Sequence, residues 1–317
     1  MRKKIVVAVV CSLWSTLIYA QNSKTIEAGF VTDNDLYIST SRDQYYTNGI
    51  ELYYRYLTHK KSETLEKKTV EFRAGQYMYN PQTVRAVSIS LHDRPFAGYL
   101  FAEAGISNFY KDESVLKFSG QLGILGPGAG AEGLQKELHK VLKLDSISGW
   151  EYQIKKAVGV QVNAFYSRKI LPQTFSQNID FNFTSKANWG TIWTGAQVGI
   201  MTRISIAKLL PVFDSNLFGA SVSRTAKEKN REFYLYFTPN LNYQIYDATI
   251  QGSMFNNDSP IVFDVKPWRF IGEVGLKFRR NNWNLSYSFI YKSKELINNA
   301  VTSHYYGSIT ISRLFGS

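Results

Sequence analysis

A histidine at position 139 stands four residues after Gln135 and seven after Glu132, within a segment, Ala131–Lys143, that holds no proline and only one glycine, Gly133. The spacing predicts a short helix. At about 100° per residue, Glu132, Gln135 and His139 share one stripe, beside an apolar stripe of Leu134, Leu138, Val141 and Leu142. A lone histidine beside an apolar stripe is more often structural than reactive, so its neighbours decide. The helix follows Gly126-Pro127-Gly128-Ala129-Gly130, which is not a phosphate-binding loop because no Gly-Lys-Ser/Thr follows it. Elsewhere the chain offers oxygen: Asn34, Asp35, Thr47, Asn48 and Asp93. Hard oxygen donors suit calcium. Calcium beside a neutral imidazole would make a two-part hydrolase, in which the ion stabilises the oxyanion of an ester and the imidazole removes a proton from water.

Other chemistries lack their parts. No Gly-x-Ser-x-Gly turn is present to carry a serine nucleophile. Four histidines (His59, His92, His139, His304) and a single cysteine, Cys11, do not assemble into a zinc site. The polar motifs themselves are regularly spaced: Asn34-Asp35, Tyr46-Thr47-Asn48-Gly49, Gln76 to Pro81, Asp93 to Gly98, and Gly126 to Gly130. Thr47 to Tyr79 spans 32 positions and Asp93 to Gly126 spans 33, each enough for a strand down and a strand back. All five clusters are therefore expected on one rim of a meander, with the charged Thr58–Lys68 stretch on the other. Within the rim, Asp93-Arg94 is expected to form an ion pair, and Asn48 and Tyr79 to support the site.

The elements that must carry these motifs are strands. From Glu27 onward, segments of about ten residues alternate in character with period 2. Ile50, Leu52, Tyr54 and Tyr56 share a face; Val70, Phe72 and Ala74 oppose Glu71 and Arg73; Phe233, Leu235 and Phe237 alternate with Tyr234 and Tyr236. Trp283, Leu285, Tyr287 and Phe289 alternate with Asn284, Ser286 and Ser288, and the last strand ends at Leu314-Phe315. A soluble β-sandwich would also alternate. The N-terminus separates the two, because residues 1–20 read as a signal peptide: Arg2, Lys3 and Lys4, an apolar run from Ile5 to Ile18, and Ala20 before the cut. Cleavage there removes Cys11, leaving residues 21–317 without a cysteine. Export, strand length and the 47 aromatics point to an all-β, transmembrane, antiparallel up-and-down barrel with one short helix at its rim.

The 317 residues carry a formal charge of +12. Basic residues are expected to be spread over loops and turns rather than gathered on one groove, so nucleic acid is not the expected partner; a positive outer rim would instead attract an anionic lipid surface.

Read in order, Asn34-Asp35, Tyr46-Thr47-x-Gly49, Gln76-x-x-Tyr79, Asp93-Arg94-Pro95-Phe96-Ala97-Gly98, Gly126-Pro127, the helix around Gln135 and His139, and Gly149-Trp150-x-x-Gln153 resemble the outer-membrane lipid A 3′-O-deacylase (LpxR) family. The resemblance runs from residue 33 to about 160. It implies a barrel of about 12 strands in the outer membrane of a Gram-negative bacterium, acting as a monomer on lipopolysaccharide, with the active site between the barrel wall and a helix near the outer leaflet. His139 would be the general base for water. Asn34, Asp35 and Thr47 would form the calcium-linked part, Gln135 would line the pocket, and Arg85 would meet a phosphate of lipid A. The reaction would be hydrolysis of the 3′-linked acyloxyacyl ester without a covalent intermediate. The rivals are a non-enzymatic pore or structural barrel and a phospholipid hydrolase, although the His-x-Ser-Asn-Gly stretch of outer-membrane phospholipase A is absent.

Overall fold

The computed structural model describes residues 25–38, 45–59, 62–83, 85–143, 145–171, 175–224 and 231–316; the expected signal peptide, residues 1–20, lies outside them. Twelve strands follow one another: β1 (Ile26–Asn34), β2 (Tyr45–Thr58), β3 (Leu65–Asn80), β4 (Ala97–Tyr110), β5 (Val115–Leu125) and β6 (Ala157–Lys169). The second half contains β7 (Ile179–Gly190), β8 (Trp193–Ile204), β9 (Glu232–Asp247), β10 (Trp268–Arg280), β11 (Trp283–Ser293) and β12 (Ser303–Phe315). Each pairs antiparallel with its neighbours in sequence, and β1 closes on β12 from Ile26↔Phe315 to Asn34↔Gly307. The helix expected at Ala131–Lys143 is α1 (Ala131–Leu142), with Lys143 as its cap.

The period-2 pattern sorts side chains between wall and lumen. On β9, Phe233, Leu235 and Phe237 are about half exposed outward, while Tyr234 and Tyr236 are buried inward. Leu52, Phe72, Leu122, Val160 and Val274 add to an outer apolar belt, a surface suited to lipid and not to water. Inside, Arg55 pairs with Glu27 at 2.7 Å and with Glu71, while Arg73 pairs with Glu71 at 2.7 Å and with Glu51. The basic residues are thus not confined to loops and turns. Lys117 and Lys277 line one cavity of about 370 Å³ and Lys186, Arg269 and Lys292 another of about 470 Å³, and Lys67, Arg203 and Arg279 are buried. Alternation allows this, because every second residue of a barrel strand faces the polar interior.

One end of the lumen is filled by the β8–β9 connection. Lys67 Nζ donates to the carbonyls of Ala220 (3.0 Å) and Val222 (2.8 Å), and Arg279 to those of Asp214 and Ser221 (both 2.9 Å). Arg203 holds Ser215 Oγ at 3.0 Å and the Leu210 carbonyl at 3.1 Å. Leu209, Val212, Leu217 and Ala220 pack on Phe109, Val115 and Tyr234. This end carries both chain ends of the barrel, Ile26 and Phe315; the opposite rim carries the motif clusters.

Bonds donated by charged groups contribute about 1.5–3 kcal/mol each. Replacing Lys67 and Arg279 together by Met should therefore loosen Leu209–Val222. Limited proteolysis in detergent is expected to cut that segment in the variant while the wild type resists and both remain heat-modifiable barrels. Equal resistance would show that its apolar contacts suffice.

Candidate functional site

Alternation places Tyr77 and Tyr79 of β3 in the lumen, so Gln76 and Met78 point outward. There they hold α1 against the wall. Gln76 Nε2 donates to the carbonyl of Ala129 at 2.5 Å, and Met78 is buried among Ala86, Phe96, Ala131, Ile147 and Trp150, with Leu134 against them. Gly98 on the adjoining β4 permits this approach, since a Cβ there would stand 2.4 Å from that of Ala131. The chain enters the helix through Gly130 in the left-handed region (φ 69°), a conformation glycine adopts without steric cost.

The helix buries its polar stripe. Gln135 and His139 are almost fully enclosed, whereas Val141 of the apolar stripe is 73% exposed and Leu138 is only partly covered. Glu132 does not share the enclosure; it pairs with Lys136 at 2.6 Å on the open side. His139 Nδ1 lies 2.7 Å from the Asp145 carbonyl oxygen. A carbonyl only accepts, so Nδ1 carries the proton and Nε2 is the basic nitrogen. Gln135 Oε1 accepts the Trp150 indole N–H at 2.8 Å, and Trp150 is fully buried with its ring 4.8 Å from Phe96.

The oxygen donors occupy the next two strands. Asn34 and Asn48 are the last Cα pair of β1 and β2, and Asp35 and Thr47 are the next residues out. Asn34 Oδ1 caps the turn Asp35–Tyr37 by accepting the Leu36 N–H at 2.7 Å. Thr47 is the extra residue of a β-bulge, because Tyr46 pairs with Tyr79 and Asn48 with Met78. Bulges re-aim side chains. Here the Thr47 hydroxyl is buried without a hydrogen-bond partner, and Asp35 is also buried. The expected single rim is observed: the helix packs on β3 and β4, and the oxygens stand on β1 and β2 beside them.

Arg85 forms a bridge with Ser148 and an ion pair with Asp145 at 2.7 Å, both partners largely exposed. The expected Asp93–Arg94 pair does not form. Asp93 accepts from the Tyr45 hydroxyl (3.2 Å) and the Gln82 N–H (2.7 Å), while Arg94 donates to Thr249 Oγ1 (2.9 Å) and covers the Tyr79 ring. Asp145 escaped the sequence reading because its contribution to His139 is a main-chain carbonyl, which no residue type signals. Among the described residues no group of three or more His, Cys, Asp or Glu is arranged to hold a metal.

The family model described as outer membrane protein LpxR matches residues 5–315. The chain belongs to the LpxR family of outer membrane proteins. LpxR from Salmonella typhimurium superposes with a TM-score of 0.72 at 17% identity, covering 91% of this chain and all of that one. More distant barrels are the β domain of the Bordetella autotransporter BrkA (TM-score 0.45, 8% identity, 91% and 98% covered) and the KdgM porin (0.41, 5%, 92% and 99%). No curated protein sequence matches the chain. LpxR membership places this protein in the outer membrane and in the lipid A deacylase family that its ordered motifs resemble. Within this LpxR barrel, Gly98→Val should lift α1 from β4. Hydrogen exchange across Ala131–Leu142 is expected to quicken at least tenfold while the strands stay protected; unchanged exchange would mean that the helix is held without this close contact.

Proposed function

We propose that this protein hydrolyses the 3′-linked acyloxyacyl ester of lipid A in lipopolysaccharide, with His139 as general base and calcium as cofactor. The observation that carries the reading is the enclosed His139, its Nδ1 tied to a backbone carbonyl, on a helix clamped to the same rim as Asp35 and Thr47. With Nδ1 protonated, Nε2 accepts a proton from water as the water oxygen attacks the ester carbonyl. The same nitrogen returns that proton to the departing sugar 3′-oxygen when the tetrahedral intermediate collapses.

The donor set fits calcium. Asp35 supplies a carboxylate, Asn34 a side-chain carbonyl and Thr47 a buried hydroxyl whose oxygen lacks a partner, all hard oxygens with no sulfur or imidazole among them. When bound, calcium would polarise the ester carbonyl and stabilise its oxyanion. Arg85, paired with Asp145 at an exposed position, would exchange that partner for a lipid A phosphate, which its planar fork matches. An open pore is disfavoured by the segment that fills one end of the lumen.

The test is mass spectrometry of lipid A incubated with purified protein. Calcium-dependent loss of the 3′ acyl group is expected from the wild type, with none under chelator. His139→Ala should lower the rate by about 10²–10⁴, the usual contribution of a general base, while leaving a heat-modifiable barrel. Full activity in that variant would sink the mechanism, and unchanged lipid A with the wild type would sink the substrate. Release of acyl chains from glycerophospholipid vesicles instead would favour a phospholipid hydrolase. Separately, Asp35→Ala should lose activity that excess calcium partly restores; indifference to calcium would remove Asp35 from the metal's ligands.

A further inference from the structure

Trp150 and Gln135 meet through a hydrogen bond whose direction is fixed. An indole N–H can only donate, so the Gln135 atom facing it, 2.8 Å away, is the carbonyl Oε1. The amide cannot flip without leaving a fully buried indole N–H against an NH2, two donors facing each other. Its other end, Nε2, therefore has a set position. That NH2 makes no further hydrogen bond among the described residues and is not one of the buried polar atoms left without a partner, so it retains access to the surface. Gln135 precedes His139 by one turn on the same enclosed stripe, and i, i+4 side chains are neighbours.

We propose that Trp150 is a positioning residue that presents the Gln135 NH2 as a hydrogen-bond donor to the reacting ester oxygen beside His139. This rests on the hydrolase reading above and adds a donor to it. The anchor is rigid, because the indole is packed against Phe96 at 4.8 Å in the cluster of Met78, Ala86, Ala131 and Ile147 that also holds the helix to the wall. The bound indole fixes the amide before substrate arrives, which is what makes a donor effective toward developing charge. A Trp150 that served packing alone would have no bearing on which end of Gln135 faces the substrate.

The experiment compares initial rates on lipid A for the wild type, Trp150→Phe, Gln135→Met and the double variant, all checked for heat-modifiable folding. Gln135→Met, which keeps the side-chain length but has no donor, should lower kcat about 10²-fold with KM held within about threefold, the scale of losing one oxyanion donor. Trp150→Phe, which keeps a ring on Phe96 but frees the amide to rotate, should lower kcat about tenfold, also at constant KM. The double variant should match Gln135→Met alone, because Trp150 acts only through Gln135. Wild-type kcat in Trp150→Phe, or a double variant whose loss is the product of the two single losses, would overturn the proposal and leave the hydrolase reading intact. A wild type inactive on lipid A would overturn both.

Discussion

A strand in lipid has nowhere to put its backbone polar groups except on another strand. The pairing of β1 with β12, from Ile26↔Phe315 to Asn34↔Gly307, meets that demand by leaving no free edge. Closure then fixes much else. It gives every strand a lipid side and a lumen side and brings Asn34 beside Gly307, while the β1–β2 pairing sets it beside Asn48. The site depends on this geometry, because its parts come from β1 to β4 and from the chain between β5 and β6.

The interior shows how such a barrel handles its charge. Arg55 and Arg73 are each shared between two glutamates, and the β8–β9 segment offers backbone carbonyls to Lys67, Arg279 and Arg203. A buried cation without a partner is costly. Segment and wall therefore satisfy each other: the segment's carbonyls accept the cations' hydrogen bonds, and the donors hold the segment in place. The outcome is a barrel filled at one end by its own chain, with the helix that encloses Gln135 and His139 packed on the outer wall at the opposite rim.

At that rim a helix is pressed to the wall by small residues and a buried tryptophan. Gly98 and Ala131 set the distance, while Met78, Phe96 and Trp150 fill the joint. The pressed face includes Gln135 and His139, so the polar stripe is enclosed and Val141 is left outside. Hydrophobic periodicity alone would have turned the helix the other way. The compensation is local: Gln135 accepts the indole N–H and His139 donates to the Asp145 carbonyl.

Alternation in segments such as Phe233–Phe237 was legible as strands with two faces, and the spacing from Thr47 to Tyr79 and from Asp93 to Gly126 was enough to put the motif clusters on one rim. The helix, with its Gly-rich entry, was equally readable, because these are local periodicities that the backbone imposes on any chain. The direction in which adjacent side chains turn was not. Asp93 and Arg94, neighbours in sequence, bond to different loops, and the basic residues read as loop charges line a closed interior. Nor did residue types reveal the bulge that isolates the Thr47 hydroxyl or the carbonyl of Asp145 beside His139. The sequence by itself determined the strands, their order and the residues able to do chemistry. Only the tertiary structure decided which of them are enclosed together, since burial and hydrogen-bond partnership depend on contacts between segments that lie far apart in the chain.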